Sequence, residues 1–228
     1  MGNIFRGLLS FIMQKNTFNN LRIICFTVVL ITIVIASAFL VGTFYPNKWT
    51  TLNIQKDFHK KEVKEVIYLG LVQPEFEYTD KASFITATGK CIDYLNFTTD
   101  RLSRVPTSMI IAMAGVESGW GTSRFANEGN ALFGVRTWDE TVPQIKPLDL
   151  PNADFGVKKY KTKCDSVKDM VRILNSHPAY EKFREEREKQ IDAGKWEYKA
   201  LLNGITAWST NPKYKDIIWS AIVDNNLP

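Results

Sequence analysis

An uncharged apolar run near the N-terminus sets the main limit on what this chain can fold into. Residues 23–44 contain no Asp, Glu, Lys or Arg over 22 positions, which is long enough to span a bilayer as a helix. The run has no polar face, which argues against a helix in the core of a soluble domain. Arg6, Lys15 and Arg22 precede it, and no acidic residue does. The positive-inside rule therefore predicts a cytoplasmic N-terminus, residues 1–22, with the rest of the chain on the other side of the membrane.

A cleaved signal peptide is the alternative interpretation of this run. Residues 36–38 (ASA) are similar to the small-residue cleavage site of such a peptide. The apolar stretch is longer than the usual signal core and continues past that site, which favours an uncleaved signal-anchor. The predicted organisation is a transmembrane segment at 23–44, a linker with an amphipathic helix at 45–80, and a folded domain at 81–228.

Composition narrows the function of the folded domain. The net charge of +5 is modest and is compatible with contact to an anionic cell wall or membrane surface. Lysines and arginines are not interleaved with aromatic residues, so nucleic acid is not an expected partner. No CxxC motif or Cys/His cluster predicts a metal site, and no cofactor is expected. Cys91 and Cys164 would lie outside the cytoplasm, where a disulfide can form, but two cysteines do not define a framework and the pairing stays open.

The segment 105–136 carries the strongest local pattern. Pro106 suits the first turn of a helix, and apolar residues then recur at helical spacing, at Met109, Ile110, Met113 and Val116. Gly119 and Gly121 should end this helix just after Glu117. A carboxylate there faces the negative end of the helix dipole and apolar neighbours, and both disfavour its ionised form. The pattern therefore predicts a carboxyl group with a raised pKa, which is what a general acid needs.

Two motifs in this segment resemble the glucosaminidase domain of glycoside hydrolase family 73. They are VESGWG at residues 116–121 and NALFGV at residues 130–135. The resemblance covers about residues 90–228 and is greatest to the membrane-anchored Bax-like type. It implies a mainly α domain with a small β-lobe, of the lysozyme-like superfold. It also implies an endo-β-N-acetylglucosaminidase that hydrolyses the β-1,4 bond after N-acetylglucosamine in peptidoglycan, with Glu117 as the general acid.

The remaining pattern predicts helices around an irregular lobe. Residues 138–154 are rich in Pro and acidic residues and predict a lobe with a short hairpin, to which 155–160 contribute a strand. Asp165 and Ser166 are expected to cap the helix that follows the lobe. Apolar spacing predicts further helices at 57–71, 81–104, 165–175, 179–193, 195–208 and 213–224.

A glycosidase usually pairs its acid with a second carboxylate. In the resembled family this residue, where assigned, lies in the β-lobe. Asp149 and Asp154 fall in that interval, Asp139 and Glu140 lie near its start, and Asp154 is the best candidate. The alternative is that all four are solvated loop acids. In that case the acetamido group of the substrate acts as the nucleophile, as in substrate-assisted glycosidases.

A second motif is similar to the family near the C-terminus. Residues 208–214 (WSTNPKY) resemble the family's Y-A-T-D-P-x-Y run. This implies that Tyr214 faces the acid and stabilises the transition state or binds the acetamido group. Packing at a helix start is the alternative role for this ring. Trp208 stands where the family usually has Tyr, which leaves the role of that position open.

Four further residues are candidates for substrate binding. The rings of Trp120 and Phe133 have apolar faces that could stack on sugars, but core packing is a strong alternative, especially for Phe133. Trp138, at the mouth of the acidic lobe, is a candidate platform for a glycan strand. Asn130 offers an amide either to the substrate or to its own turn.

Three functions are compatible with these features. The first is a single-pass peptidoglycan hydrolase of the inner (cytoplasmic) membrane, with its catalytic domain on the periplasmic side and glycan strands as its partner. The second is a lytic transglycosylase or muramidase of the same superfold, although that family generally carries a G-L-M-Q-like run after the acid. The third is a non-catalytic scaffold that binds the cell wall. The sequence sets no oligomeric state.

Overall fold

The structure, a computed structural model, describes residues 20–39, eight separate positions between 50 and 68, residues 70–193 and residues 195–228. The chain divides into two compact units, Met1–Ile54 and Gln55–Pro228. The first unit contains helix α1, Asn20–Phe39, whose mean hydropathy of 2.5 makes it long and apolar enough to cross a bilayer. The last part of the predicted transmembrane run, residues 40–44, lies outside the described residues. So does most of the helix predicted at 57–71, of which five described positions are helical.

Two helices form the centre of the core of the second unit. Helix α2, Lys81–Thr98, starts at a capping box in which Asp80 and Ser83 satisfy each other's backbone amides. After a short 3-10 turn, helix α3 runs over Thr107–Ser118, with Pro106 one position earlier than predicted, at the N-cap. Its buried residues run without a break from Ser108 to Gly115. The sequence predicted one buried face, whereas α3 is covered on nearly all sides, because α2 and the last helix of the chain both pack against it.

The lobe predicted after the central helix is present. Helix α4, Arg124–Gly129, leads into strand β1, Arg136–Thr137, and strands β2, Gln144–Ile145, and β3, Gly156–Lys158, follow. The sheet has the order β1-β3-β2, and both pairings are antiparallel. Thr137 pairs with Gly156, so residues just after β1 and just before β3 lie at the same end of the sheet.

Helices make up the rest of the chain. In order they are α5, Lys163–Ser176; a 3-10 turn, Pro178–Tyr180; α6, Glu181–Ala193; α7, Tyr198–Asn203; a 3-10 turn, Thr206–Trp208; and α8, Tyr214–Asp224. The mainly α fold with a small β-lobe that the sequence predicted is therefore confirmed.

Two predictions about this region were wrong in detail. Asp165 and Ser166 do not stand at the N-cap of α5, because Thr162 caps it and Asp165 completes the capping box from inside the helix. Ser166 is buried, and its hydroxyl oxygen instead accepts from the Leu132 amide at 3.0 Å. The single helix predicted at 195–208 is divided into α7 and a 3-10 turn, with Gly204 as the C-cap of α7.

Two sets of interactions fix the position of the lobe and of α5. Asp169 on α5 accepts hydrogen bonds from Tyr160 Oη at 2.8 Å and from Lys158 Nζ at 3.1 Å, which fastens strand β3 to the helix. Cys91 on α2 and Cys164 on α5 form a disulfide with Cα atoms 5.4 Å apart. The pairing that the sequence leaves open is therefore present, and it links the helix that ends the lobe to the core.

Candidate active site

Glu117 lies at the C-terminal end of the buried helix α3, next to a sharp turn. Three consecutive residues of this turn have left-handed backbone conformations: Gly119 at φ 59°, Trp120 at φ 56° and Gly121 at φ 86°. The amides of Gly119 and Trp120 both donate to the Gly115 carbonyl, the latter at 2.8 Å. A helix that ends this way leaves its last carboxylate at the rim of the core, as predicted from the glycines.

Ser118 holds this turn together from inside. Its hydroxyl donates to the Ala114 carbonyl at 2.6 Å and accepts from the Gly121 amide at 2.8 Å. The residue is buried, so both hydrogen-bonding directions of its hydroxyl are satisfied within the helix end. Ser118 is therefore a structural residue of the turn and has no geometry for nucleophilic attack.

Gly115 on α3 is a glycine because the ring of Trp120 packs against its backbone. A Cβ atom at this position would lie 2.6 Å from ring atoms of Trp120. The indole therefore packs directly on the backbone of α3, and its edge contacts Phe84 with ring centroids 6.2 Å apart. Trp120 is partly buried against the core and is not an open stacking surface.

Two aromatic residues from the C-terminal half interact with Glu117, and a third contacts them. Tyr214, the first residue of α8, and Trp208 both act on the Glu117 carboxyl through their side-chain hydrogen-bonding groups. Tyr180 lies behind them, with its ring centroid 6.2 Å from that of Trp208. The packing of α8 on α3 brings these groups together, although they are distant in sequence.

The surroundings of Glu117 raise its pKa. Burial is the largest cause, and hydrogen bonding from Tyr214 and Trp208 acts in the opposite direction. By surface accessibility Glu117 as a residue is nevertheless exposed, so the effect comes from the protein atoms that crowd its carboxyl and leaves that group open to a substrate. A carboxyl group that stays protonated at higher pH than usual and can be reached from outside fits the requirements of a general acid.

Tyr214 places an unsatisfied hydroxyl beside this carboxyl. The residue is 4% exposed, and within the described chain its Oη makes no hydrogen bond of full geometry. It is nevertheless close enough to Glu117 for the two groups to change each other's pKa. Burial, the charge of Glu117 and hydrogen bonding to it all raise the pKa of Tyr214, so the hydroxyl remains a neutral donor. A buried donor without a good partner is costly in a folded protein and is common where a ligand supplies the partner.

The structure places the other candidate residues apart from this centre or in packing roles. Phe133 is 2% exposed and belongs to the core, so the packing alternative fits it. The Asn130 amide donates to the carbonyls of Tyr160 and Lys161 at 3.1 and 3.0 Å, and its oxygen accepts from Lys163. Its amide is thus fully used in joining the turn after α4 to the segment that leaves β3.

Trp138 and Asp154 lie at one end of the small sheet. Trp138 is 61% exposed, and its ring packs on Phe155 with centroids 5.9 Å apart. Arg136 covers the same phenyl ring, with its guanidinium carbon 4.5 Å from the centroid. Asp154 is exposed in the turn before β3. An exposed indole backed by a second ring is suited to stacking on a sugar.

Two residues at this centre carried no functional signal in the sequence. Tyr180 follows a helix break, and only tertiary packing reveals its position. Tyr78 lies in an extended segment where exposed Glu75 and Glu77 alternate with inward-facing Phe76 and Tyr78. That alternation could have been read as a strand-like segment packed on one face. As regards metals, no group of three or more His, Cys, Asp or Glu residues in the described chain is arranged to hold an ion.

Comparisons with known proteins identify the family of this chain. The sequence model of a glucosaminidase family, described as mannosyl-glycoprotein endo-beta-N-acetylglucosaminidase, matches residues 98–227. Protein bax of Escherichia coli (strain K12) is 32% identical over 133 residues, covering 55% of this chain and 45% of that protein. Peptidoglycan hydrolase FlgJ of Vibrio parahaemolyticus is 26% identical over 125 residues, covering 49% of this chain and 38% of that protein.

Solved structures show a weaker likeness. A peptidoglycan hydrolase from Sphingomonas sp. A1 is 22% identical with a TM-score of 0.47, covering 65% of this chain and 90% of that one. The catalytic domain of the autolysin Auto from Listeria monocytogenes is 18% identical with a TM-score of 0.46, covering 72% and 93%. The chain spans less than half the length of the curated relatives it matches. Because the family model covers more than half of the chain, the chain belongs to the glucosaminidase family.

Proposed function

We propose that this chain is a membrane-anchored peptidoglycan hydrolase that cleaves the β-1,4 bond after N-acetylglucosamine. The observation that carries the proposal is the position of the buried Tyr214 hydroxyl, which makes no hydrogen bond of full geometry in the described part of the chain, beside the carboxyl of Glu117, whose pKa is raised. Family membership supports a glycosidase, and one of the relatives is a peptidoglycan hydrolase.

In this proposal Glu117 donates its proton to the glycosidic oxygen as the bond to the sugar breaks. The sugar then develops positive charge at its anomeric carbon. Tyr214 donates a hydrogen bond either to the acetamido group of the substrate or to an oxygen that gains charge in the transition state. Either role gives its hydroxyl a hydrogen bond of full geometry, which it does not have within the described residues, and such a preformed donor stabilises the transition state without rearrangement.

The second half of the reaction needs a base or a nucleophile. Asp154 is our candidate, because it is exposed beside the platform formed by Trp138 and Phe155 at the end of the sheet. Substrate assistance by the acetamido group is the alternative. The two routes differ in the effect of Asp154→Asn, which should lower turnover by roughly a hundredfold or more if the carboxylate acts directly. The matched change Asp224→Asn, at an exposed acid at the end of α8 and outside the lobe, serves as the control.

The proposed location of the protein rests on helix α1 in the first unit of the chain. Helix α1 is exposed and apolar along its length, which supports insertion in the cytoplasmic membrane as a single-pass anchor. A peptidoglycan hydrolase must act outside the cytoplasm, and the basic N-terminus favours that orientation. Trp138 is the proposed platform for the glycan strand on that side.

A lytic transglycosylase is the second candidate. The groups that act on Glu117 in the described chain are Tyr214 and Trp208, and no carboxylate is among them. Transglycosylases also work with one catalytic Glu. The products separate the two functions, since a transglycosylase leaves an anhydro sugar end and a glucosaminidase leaves a reducing N-acetylglucosamine end.

The deciding experiment uses the full-length chain in detergent with purified peptidoglycan. We expect the wild type to clear the wall in a zymogram and to release reducing N-acetylglucosamine ends. Glu117→Gln should lose nearly all of this activity. Glu185→Gln, at an exposed glutamate on α6, should clear like the wild type. Equal clearing by the Glu117→Gln variant would remove Glu117 from its role, and a folded but inactive wild type would support a wall-binding scaffold.

A further inference from the structure

A segment that precedes the family match contacts the turn beside Glu117. The match begins at residue 98, whereas Tyr78 donates from its hydroxyl to the Gly121 carbonyl at 2.8 Å. Gly121 is the residue whose amide also binds Ser118, directly after Glu117. The turn is therefore held from inside by Ser118 and from outside by Tyr78.

An aromatic cluster supports this hydrogen bond. Phe76, Tyr78 and Phe84 contact each other edge to face, with centroids 5.3 to 5.7 Å apart. Phe84 continues the contact to Trp120, and Lys81 Nζ lies 4.2 Å from the centroid of the Trp120 ring. We call Phe76, Tyr78, Lys81 and Phe84 the support cluster.

The turn needs such support because its backbone is strained. Trp120 is not a glycine, yet its φ is 56°, and such a conformation costs on the order of 1 kcal/mol or more. Gly121 cannot be replaced by a larger residue without displacing the cluster, since a Cβ atom there would lie 2.6 Å from Tyr78 and 2.7 Å from Phe84. Strained residues at functional sites persist only where neighbours fix them.

The segment is itself anchored to the domain. Gln73 donates to Thr162 Oγ1 at 2.8 Å, at the start of α5. Lys163 Nζ lies 5.4 Å from the centroid of the Tyr78 ring. Burial raises the pKa of Tyr78, so its hydroxyl keeps the proton that it donates. The segment is thus tied at both ends, to α5 and to the turn.

We propose that Tyr78 is a positioning residue of the active centre, which holds the turn at residues 119–121 so that Glu117 faces Tyr214. The inference rests on the proposed function, and it extends the functional centre to residues outside the family match. Tyr78 does not touch the reacting bond. It acts through Gly121 and Trp120, and the support cluster transmits its effect.

The test compares Tyr78→Phe with Tyr94→Phe in the full-length chain. Each change removes one hydroxyl from a partly buried ring, and Tyr94 lies on α2 away from the turn. We expect Tyr78→Phe to lower kcat by roughly ten- to a hundredfold, because small misplacements of a catalytic group are costly. KM should stay within about twofold of the wild type, because no substrate contact is lost. Tyr94→Phe should match the wild type in both constants.

A second readout does not depend on activity. In protein labelled with ¹³C at glutamate side chains, Glu117 is identified by the signal that disappears in Glu117→Gln. Tyr78→Phe should move the pKa of Glu117 down towards its ordinary value, because a looser turn admits water around the carboxyl. Tyr214 and Trp208, the side chains that act on the Glu117 carboxyl, are unchanged in this variant, so any shift arises from the turn.

The inference is overturned if the Tyr78→Phe variant has the kcat and the Glu117 titration of the wild type. If the melting temperature of that variant is lower while both quantities are unchanged, Tyr78 is a stability residue only. If the wild type itself does not cleave peptidoglycan, the proposed function fails, and the titration alone then decides whether Tyr78 positions Glu117.

Discussion

The hydroxyl of Tyr214 interacts with the carboxyl of Glu117 across the contact between α8 and α3, and each group alters the pKa of the other. Hydrogen bonding from Tyr214 lowers the pKa of Glu117, whereas burial raises it more strongly. Glu117 in turn raises the pKa of Tyr214, after the larger effect of burial. The pair therefore retains its two protons to higher pH than isolated side chains would.

Activity should fall as pH rises through the pKa of Glu117. A general acid must be protonated, so kcat/KM is expected to decline tenfold per pH unit well above that pKa. Because burial raises the pKa, the decline should begin at higher pH than for an ordinary glutamate. A pH profile of the release of reducing ends measures this, and a decline centred at the ordinary glutamate pKa would contradict it.

Glu117→Gln should stabilise the fold at neutral pH. The folded-state pKa of Glu117 is raised, so the folded chain binds more protons than the unfolded chain between the two pKa values, and stability falls as pH rises through that window. Glutamine carries no charge and avoids this loss. Urea unfolding should therefore show a higher midpoint for the variant at pH 7 and nearly equal midpoints below the ordinary pKa of Glu. Glu185→Gln is the control, and an unchanged midpoint at pH 7 would count against desolvation of Glu117.

Tyr214→Phe should separate activity from stability. Loss of the hydroxyl removes the proposed donor, and kcat should fall by roughly a hundredfold. The same hydroxyl is buried without a full hydrogen bond in the described chain, so its removal should leave the melting temperature unchanged or raise it. Tyr94→Phe provides the control for both measurements. A large drop in melting temperature would show that the hydroxyl has a structural partner.

Asp169 should make the β-lobe sensitive to acid. Burial raises its pKa, but hydrogen bonds from Tyr160, Arg172 and Lys158 together lower the pKa below its ordinary value. Such a group stabilises the fold above the unfolded pKa, and this contribution is lost as pH falls through the lower folded pKa. Asp169→Asn should cost about 1–3 kcal/mol at neutral pH, and hydrogen exchange should rise first in β3. Asp149→Asn should leave the free energy of unfolding and the hydrogen exchange of β3 unchanged. If β3 is as well protected from exchange in Asp169→Asn as in the wild type, Asp169 does not hold β3 against α5.

The disulfide should contribute strongly to stability. Cys91 and Cys164 are 73 residues apart, and closing a loop of that length stabilises a fold by roughly 4 kcal/mol in the chain-entropy description. The double change to Ala, or reduction with dithiothreitol, should lower the melting temperature by several degrees or more. Cys25→Ser, at the free exposed cysteine of α1, is the control. A melt that is unaffected by reductant would show that the bond does not form in solution.

The sequence was most informative where one local rule was enough. Glu117 at a helix end followed from the apolar spacing and the two glycines, and the lobe followed from its prolines. Rules of capping were less reliable, since Thr162 rather than Asp165 caps α5. Both residues obey cap preferences, and only the backbone shows which one is outside the helix.

Roles that depend on tertiary contacts were beyond the sequence. The side-chain amide of Asn130 could bind either the substrate or the backbone of its own turn. In the structure it donates to the carbonyls of Tyr160 and Lys161. The ring of Phe133 could stack on a sugar or pack in the core, and in the structure it is buried in the core. Tyr180 and Tyr78 belong to no sequence motif, because their roles depend on the residues that pack next to them in the folded chain.

Helix α2 ends at residue 98, where the family match begins, yet Phe84, Cys91 and Ile92 of this helix are fully buried in the core. The segment that matches the family model is therefore shorter than the part of the chain that builds the core. A fragment cut at residue 98 would expose the faces of α3 and α5 that α2 covers. Any minimal soluble fragment of this domain should therefore begin before α2.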